Sequence, residues 1–234
     1  MERAIIEMPC GLFGPLVNDP ILNVRGRSAG EGVTGSGQVS YGNQPRWEIN
    51  WDISGFGRDR VLAWRAIRAR MRGRVNILRV CMCDRWRPTY QELGLSADDI
   101  ALLRAAGVPH SDGAYFSDGS GYSFTPYLVS TGFDAGDETI TLDATPINDA
   151  LQPGQWFSHD DWPYQVTSIS GSMAARTYSF EPPLRRDIPA GETIIVGDAT
   201  ALMAFVDDTQ GRMPLDMGKN GATQIQLVEW TNRP

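Results

Sequence analysis

Residues 46–53 alternate without a break. Trp47, Ile49, Trp51 and Ile53 fall on one side, and Arg46, Glu48, Asn50 and Asp52 on the other. A period of two places one kind of residue on each face, as a half-buried antiparallel strand requires. Ser54-Gly55-Phe56-Gly57 breaks that strand, and the period then changes to that of a helix. Over 58–72, Val61, Trp64, Ile67 and Met71 share one helical face, while Arg65, Arg68, Arg70 and Arg72 face away or flank it. Gly73 is placed to stop the helix in a left-handed conformation, and strand residues follow at once from Val75 to Cys83. A single amphipathic helix in such a chain must cover a sheet face, so its Trp/Met stripe reads as core and not as a ligand groove. Truncating Trp64 is then expected to cost about 3–5 kcal/mol.

A second region, 138–196, reads as short strands joined by tight turns. Thr139-Ile140-Thr141-Leu142, 151–158, 163–166, 178–184 and 188–194 read as short strands and their turns, with Pro–Gly turns at 153–154 and 189–191 each beside an apolar strand. This is the pattern of a small β-barrel or sandwich. Near the end of the chain, Ile225 and Leu227 alternate against Gln224 and Gln226 before Glu229-Trp230, which predicts a final strand. Between these regions, Ser96-Ala97-Asp98-Asp99 caps a short predicted helix over 100–106 that Gly107 ends. Tyr115, Phe116, Tyr122, Phe124 and Tyr127 follow among the turns Asp112-Gly113 and Asp118-Gly119. That loop reads equally as a sugar- or partner-binding surface and as packed irregular structure. At the start, Ile5-Ile6 and Ile21-Leu22-Asn23-Val24 read as strands, and 25–37, rich in Gly, Ser and Arg, as a flexible loop that orders on assembly.

Composition sets the bounds. The 234 residues are 41% apolar, enough for a packed core, and contain no apolar run long enough for a membrane span. Met1-Glu2-Arg3-Ala4-Ile5-Ile6-Glu7 lacks the regions of a signal peptide, so synthesis in a cytoplasm is expected. Cys10, Cys81 and Cys83 are odd in number, and they read as buried thiols and not as a disulfide or metal framework. The net charge of −7 is uneven: residues 1–87 hold 14 arginines against 8 acids, and 88–234 hold 7 basic against 20 acidic residues. Nucleic-acid binding, a composition that favours Arg over Lys, and pairing of the basic part of one copy with the acidic part of another would each account for this.

Chemistry is sparsely represented. Ser158-His159-Asp160-Asp161 is the one His/Asp cluster, and Pro163 beside it makes it read as a hairpin tip. A hydrolase using His159 with Asp161 is a minor reading. Asp112 and Asp118 lack EF-hand spacing, and the glycines at 30–37 lack the strand-to-helix setting of a phosphate cradle. Ser40 and Ser158 would each need one of only two histidines, His110 and His159. No catalytic, cofactor-binding or metal-ligating residue is expected, and no cofactor; the chain reads as a non-enzyme.

The organisation resembles the tail-tip proteins of long-tailed, siphovirus-like bacteriophages, in particular the distal tail (baseplate) protein. The residues that carry the resemblance are the Gly-rich start, the strand 46–53 and the Arg-rich helix running through Met71-Arg72-Gly73-Arg74-Val75-Asn76 into a strand. The terminal strand 225–230 and the segment 151–194, with Pro182-Pro183-Leu184-Arg185 and Ala190-Gly191-Glu192, add to it. The resemblance implies a mainly β protein: a tail-tube-like β-sandwich with one packed α-helix, formed by 1–87 and 199–234, a connector 88–126, and an inserted small β-barrel module 127–198. It implies a structural virion protein, made in the host cytoplasm, that forms a ring of six copies at the distal end of the tail tube. Its partners would be its own copies, the tail tube protein, the tape measure protein and hub, tail-fibre or receptor-binding proteins. DNA would meet it only in transit, past an acidic inner surface. A carbohydrate-binding β module using 115–127 and 156–164 is the alternative.

Overall fold

A computed structural model describes residues 3–9, 20–24, 26–31, 37–40, 44–55, 57–82, 84–216 and 221–233, with backbone alone for 27–31, 37–40, 54 and 55. The chain divides into two compact units, Met1–Cys83 with Thr200–Pro234, and Asp84–Ala199. The fold is mainly β, with two α-helices among the described residues. No helix among them is long and apolar enough to cross a membrane.

The first unit contains β1 (Ile5–Glu7), β2 (Ile21–Asn23), β3 (Arg27–Glu31), β4 (Gly37–Ser40), β5 (Arg46–Gly55), α1 (Arg58–Met71) and β6 (Ile77–Cys81). After the second unit come β13 (Thr200–Phe205) and β14 (Gly221–Glu229). Six of these strands form one sheet in the order β1-β6-β13-β14-β5-β2, in which only β1 and β6 run parallel. The alternation of β5 is realised in full. Trp47, Ile49, Trp51 and Ile53 are all buried, and the register Ile49↔Leu227 and Trp51↔Ile225 aligns them with the buried row of β14. Val61, Trp64, Ile67 and Met71 of α1 are buried, and the helix makes its sheet contacts with β1 and β5. The terminal strand therefore pairs within the first unit, between β13 and β5.

Two local expectations are corrected. The segment 25–37 is not wholly loop: β3 and β4 form an antiparallel hairpin, so backbone pairing prevails over a weak side-chain pattern. The stop after α1 takes five residues and not one. Arg72 and Gly73 both adopt left-handed conformations, at φ 50° and 65°, and the strand begins at Ile77, leaving Val75 exposed. Asn76 closes the helix end, because its backbone N–H donates to the Met71 carbonyl (3.1 Å) and its side-chain amide to the Arg70 carbonyl (2.7 Å). Those carbonyls have no partner inside the helix, so the turn satisfies acceptors that would otherwise need water. A Cβ at Gly73 would lie 2.6 Å from Asp208 Oδ1, and that carboxylate accepts the next backbone N–H, of Arg74, at 2.9 Å.

The second unit contains α2 (Ala97–Ala105), β7 (Tyr127–Val129), β8 (Thr139–Leu142), β9 (Trp156–His159), β10 (Trp162–Ser172), β11 (Ala175–Glu181) and β12 (Thr193–Val196). Its strands form one antiparallel sheet ordered β7-β12-β9-β10-β11-β8, curled into a half-barrel. Phe157, Tyr164 and Phe180 meet at the centre with ring centroids 5.2–5.4 Å apart. The segment read as a connector belongs to this unit, since Leu93 is part of its core and Tyr90 and Phe124 pack on it. Ser96 caps α2 in a reciprocal box with Asp99, as its sequence requires.

Candidate functional site

The sheet of the first unit packs one face against α1, and on the other face a small apolar cluster of Leu202, Ala204, Val228 and Trp230 lies beside a polar stretch. Opposite the α1 side, β5 and β14 set Asn50 against Gln226 and Asp52 against Gln224. Asn50, Gln224 and Gln226 are exposed. At one end of this band Glu48 Oε1 accepts from Arg46 Nη2 (3.2 Å) and Asn23 Nδ2 (3.0 Å). The result is a polar band of amides and carboxylates whose one arginine is engaged by a carboxylate. The alternation that buries the tryptophans produces it, because consecutive residues of a strand must face opposite ways.

Glu229 breaks the apolar row of β14. It occupies a core-facing position, 3% exposed, and its Oε2 accepts the Trp47 backbone N–H at 3.0 Å. The sequence gives it away only through position: it sits two residues after Leu227, where the alternation asks for an apolar side chain.

In the second unit, Val108 and Tyr122 bridge the loop that follows α2. This brings His110, Phe116 and Tyr122 together edge-to-face, with centroids 4.9–5.1 Å apart. Phe116 is 42% and Tyr122 50% exposed. The turns are closed by carboxylates. Asp112 accepts the Ala114 N–H, while Asp118 accepts both the hydroxyl and the N–H of Ser120. The Ser120 hydroxyl, then its N–H, hold the Asp118 carboxyl below its ordinary value. These acids work as turn acceptors.

The other aromatic segment lies elsewhere. Trp156, Trp162 and Tyr164 are at most 5% exposed, so 156–164 presents core rings and no platform for a sugar. His159 and Trp162 face each other across the two-residue turn Asp160-Asp161, whose φ values are 48° and 61°. The hairpin-tip reading holds here. Asp160 is reached by Arg186 at 3.3 Å, and His159 Nε2 lies 3.9 Å from Glu192. Ser158 is buried. Among the described residues no three His, Cys, Asp or Glu side chains are grouped to hold a metal. Cys81 is buried, while Cys10 and Cys83 lie outside the described residues, as do 32–36 of the glycine run and the side chain of Ser40.

A cleft of about 640 Å³ in the second unit, lined by Arg85, Arg87, Tyr90, Ile100 and Arg104, has no signature in the sequence. Arg87 is held there by Asp198. These residues come from α2 and from the turns of 85–90 before it, so no single local motif marks them.

Neither a scan against protein-family models nor a search of curated proteins finds a match to this chain.

Proposed function

We propose that this protein is a structural component of a bacteriophage tail tip. Six copies form a ring at the distal end of the tail tube and join the tube to hub or receptor-binding proteins. The observation that carries this reading is the asymmetry of the first unit's sheet. One face packs against α1, and on the other β5 and β14 carry a polar band of Asn50, Asp52, Gln224 and Gln226, beside a small apolar cluster of Leu202, Ala204, Val228 and Trp230; the band is suited to an aqueous channel. Such a band suits a channel through which DNA slides, because carboxylates and amides do not neutralise phosphates. The second unit enters this sheet between β6 and β13 in chain order, as a contact module inserted into a ring-forming domain would. Mass photometry and negative-stain microscopy, with and without the tail tube protein, test the reading. Six-membered rings are expected. A strict monomer at micromolar concentration, with tube protein added, refutes it.

A second reading, a carbohydrate-binding module, is favoured by one observation, the exposed His110–Phe116–Tyr122 group. Exposed rings offer sugar C–H groups a flat surface. Glycan-array binding lost in Phe116→Ala and Tyr122→Ala would support it, and a blank array removes it.

A further inference from the structure

α1 carries five arginines, Arg58, Arg60, Arg65, Arg68 and Arg70, and a sixth, Arg72, caps its C-terminus, against one acid, Asp59. All six are exposed or nearly so, and none has a side-chain hydrogen bond or ion pair among the described residues. Arg58, Arg65, Arg68 and Arg72 are separated by seven, three and four residues, spacings that return to one flank of a helix. Like charges so placed repel by a few tenths of a kcal/mol per pair. Among the described residues no hydrogen bond or ion pair offsets this repulsion. Beside the stripe is a hollow of about 360 Å³ bordered by Arg65, Arg68, Arg72 and Gln210, and by Asp208, whose carboxylate is already engaged by Arg74.

The second unit offers the opposite charge. Residues 84–199 contain six arginines and no lysine against seventeen acids. Three of those arginines are already taken by Asp198, Asp149 and Asp160. Four of the acids are drawn together at one place. The Phe133↔Ile188 bridge, the Ala135 N–H on Asp187 (2.8 Å) and the Leu184 N–H on the Asp137 carbonyl (2.8 Å) gather Asp134, Asp137, Glu138 and Asp187. Asp134, Glu138 and Asp187 are exposed.

We propose that the arginine stripe of α1 docks on the Asp134/Glu138/Asp187 patch of a second copy of this chain, and that this contact sets the register of neighbouring subunits. The inference rests on the ring reading and supplies the surface through which the ring closes. A heterologous contact of this kind, one patch on a different patch, generates closed rings when its rotation closes. Charge complementarity favours a second copy over nucleic acid, because the net charge of −7 and the acid-rich second unit repel phosphates.

A charge-swap experiment in the full chain decides the matter. R58E/R65E/R68E and D134K/E138K each alter only exposed side chains that hold no hydrogen bond among the described residues, and thermal melts monitored by circular dichroism check that both fold. Each variant alone is expected to self-associate roughly tenfold or more weakly than the wild type, with assembly of the wild type falling at high salt. An equimolar mixture of the two should regain assembly, since each altered stripe then meets an altered patch and each native stripe a native patch. Wild-type rings with undiminished assembly of either variant overturn this contact and leave the ring reading standing. Loss of assembly without rescue by mixing overturns the pairing of these two patches. A short DNA duplex bound by the wild type and released by R58E/R65E/R68E, with assembly unchanged, assigns the stripe to nucleic acid instead. A wild type that never assembles, even with tube protein, removes the ring reading and this contact together.

Discussion

Gly211 and Trp64 form a couple that the fold of the first unit depends on. Trp64, at the centre of the buried face of α1, is 1% exposed, and its Nε1 donates to the Gly211 carbonyl at 2.8 Å. Gly211 lies at φ +74°, and a Cβ there would come 2.6 Å from Trp64 Cζ2. Gly211→Ala therefore meets two penalties, a left-handed conformation worth about 1–2 kcal/mol and overpacking worth about 1–3 kcal/mol. Trp64→Phe removes the N–H donor, about 1 kcal/mol, and leaves a small void worth about 1–2 kcal/mol more. In the double variant the methyl group enters the space the indole vacated. The two changes should then cost about 1–3 kcal/mol less than their sum. Urea titrations followed by far-ultraviolet circular dichroism, with slopes compared across the four proteins, give the cycle. Additivity to within about 0.5 kcal/mol would refute the contact, as would a neutral Gly211→Ala.

Three other perturbations follow from particular atoms. Burial, aided by the Asp149 charge and opposed by Arg176, pushes the Tyr178 hydroxyl up to about 12, and that hydroxyl has no hydrogen-bond partner among the described residues. Its folded-state value is raised, so its contribution is intact below the ordinary value of 10.0 and is lost as pH rises through about 12. Tyr178→Phe should be neutral to stabilising at neutral pH and should flatten the alkaline fall in melting temperature; a loss above about 1 kcal/mol at neutral pH contradicts this. Glu229→Ala removes the Oε2 acceptor of the buried Trp47 N–H and should cost about 1–3 kcal/mol in urea, whereas Glu229→Gln keeps an acceptor and should cost less; equal losses would mean the hydrogen bond is not what matters. Phe116→Ala should leave stability within about 0.5 kcal/mol of the wild type, and a larger drop in the thermal transition would make the exposed aromatic group a folding element.

Much of the first unit was legible because its signals are local. β5 and α1 announce themselves by periods of two and 3.6, and the same periods decide which residues are buried. The Asp160-Asp161 hairpin and the Ser96 cap are equally local, since each depends on residues within a few positions. The β3–β4 hairpin was not legible, because its residues offer backbone pairing without a side-chain pattern. The aromatic segments show the limit for function. Both 115–127 and 156–164 are rich in rings, and only long-range pairing leaves Phe116 and Tyr122 outside while placing Trp156 and Trp162 in the core.

The sequence by itself determined the strand–helix–strand unit from Arg46 to Cys81, the turn-rich β character of 138–196, the helix stop near Gly73 and the uneven charge. The first three follow from steric and hydrophobic preferences acting over a few residues, and the last is composition alone. Tertiary structure decided that 84–126 joins the second unit, that β14 lies between β5 and β13, and that Glu229 caps the buried end of β5. It also decided which charges are neutralised at home and which remain on the surface. The partners in those pairings are tens to hundreds of residues apart, as with Trp47 and Glu229, and no local pattern encodes a partner at that distance.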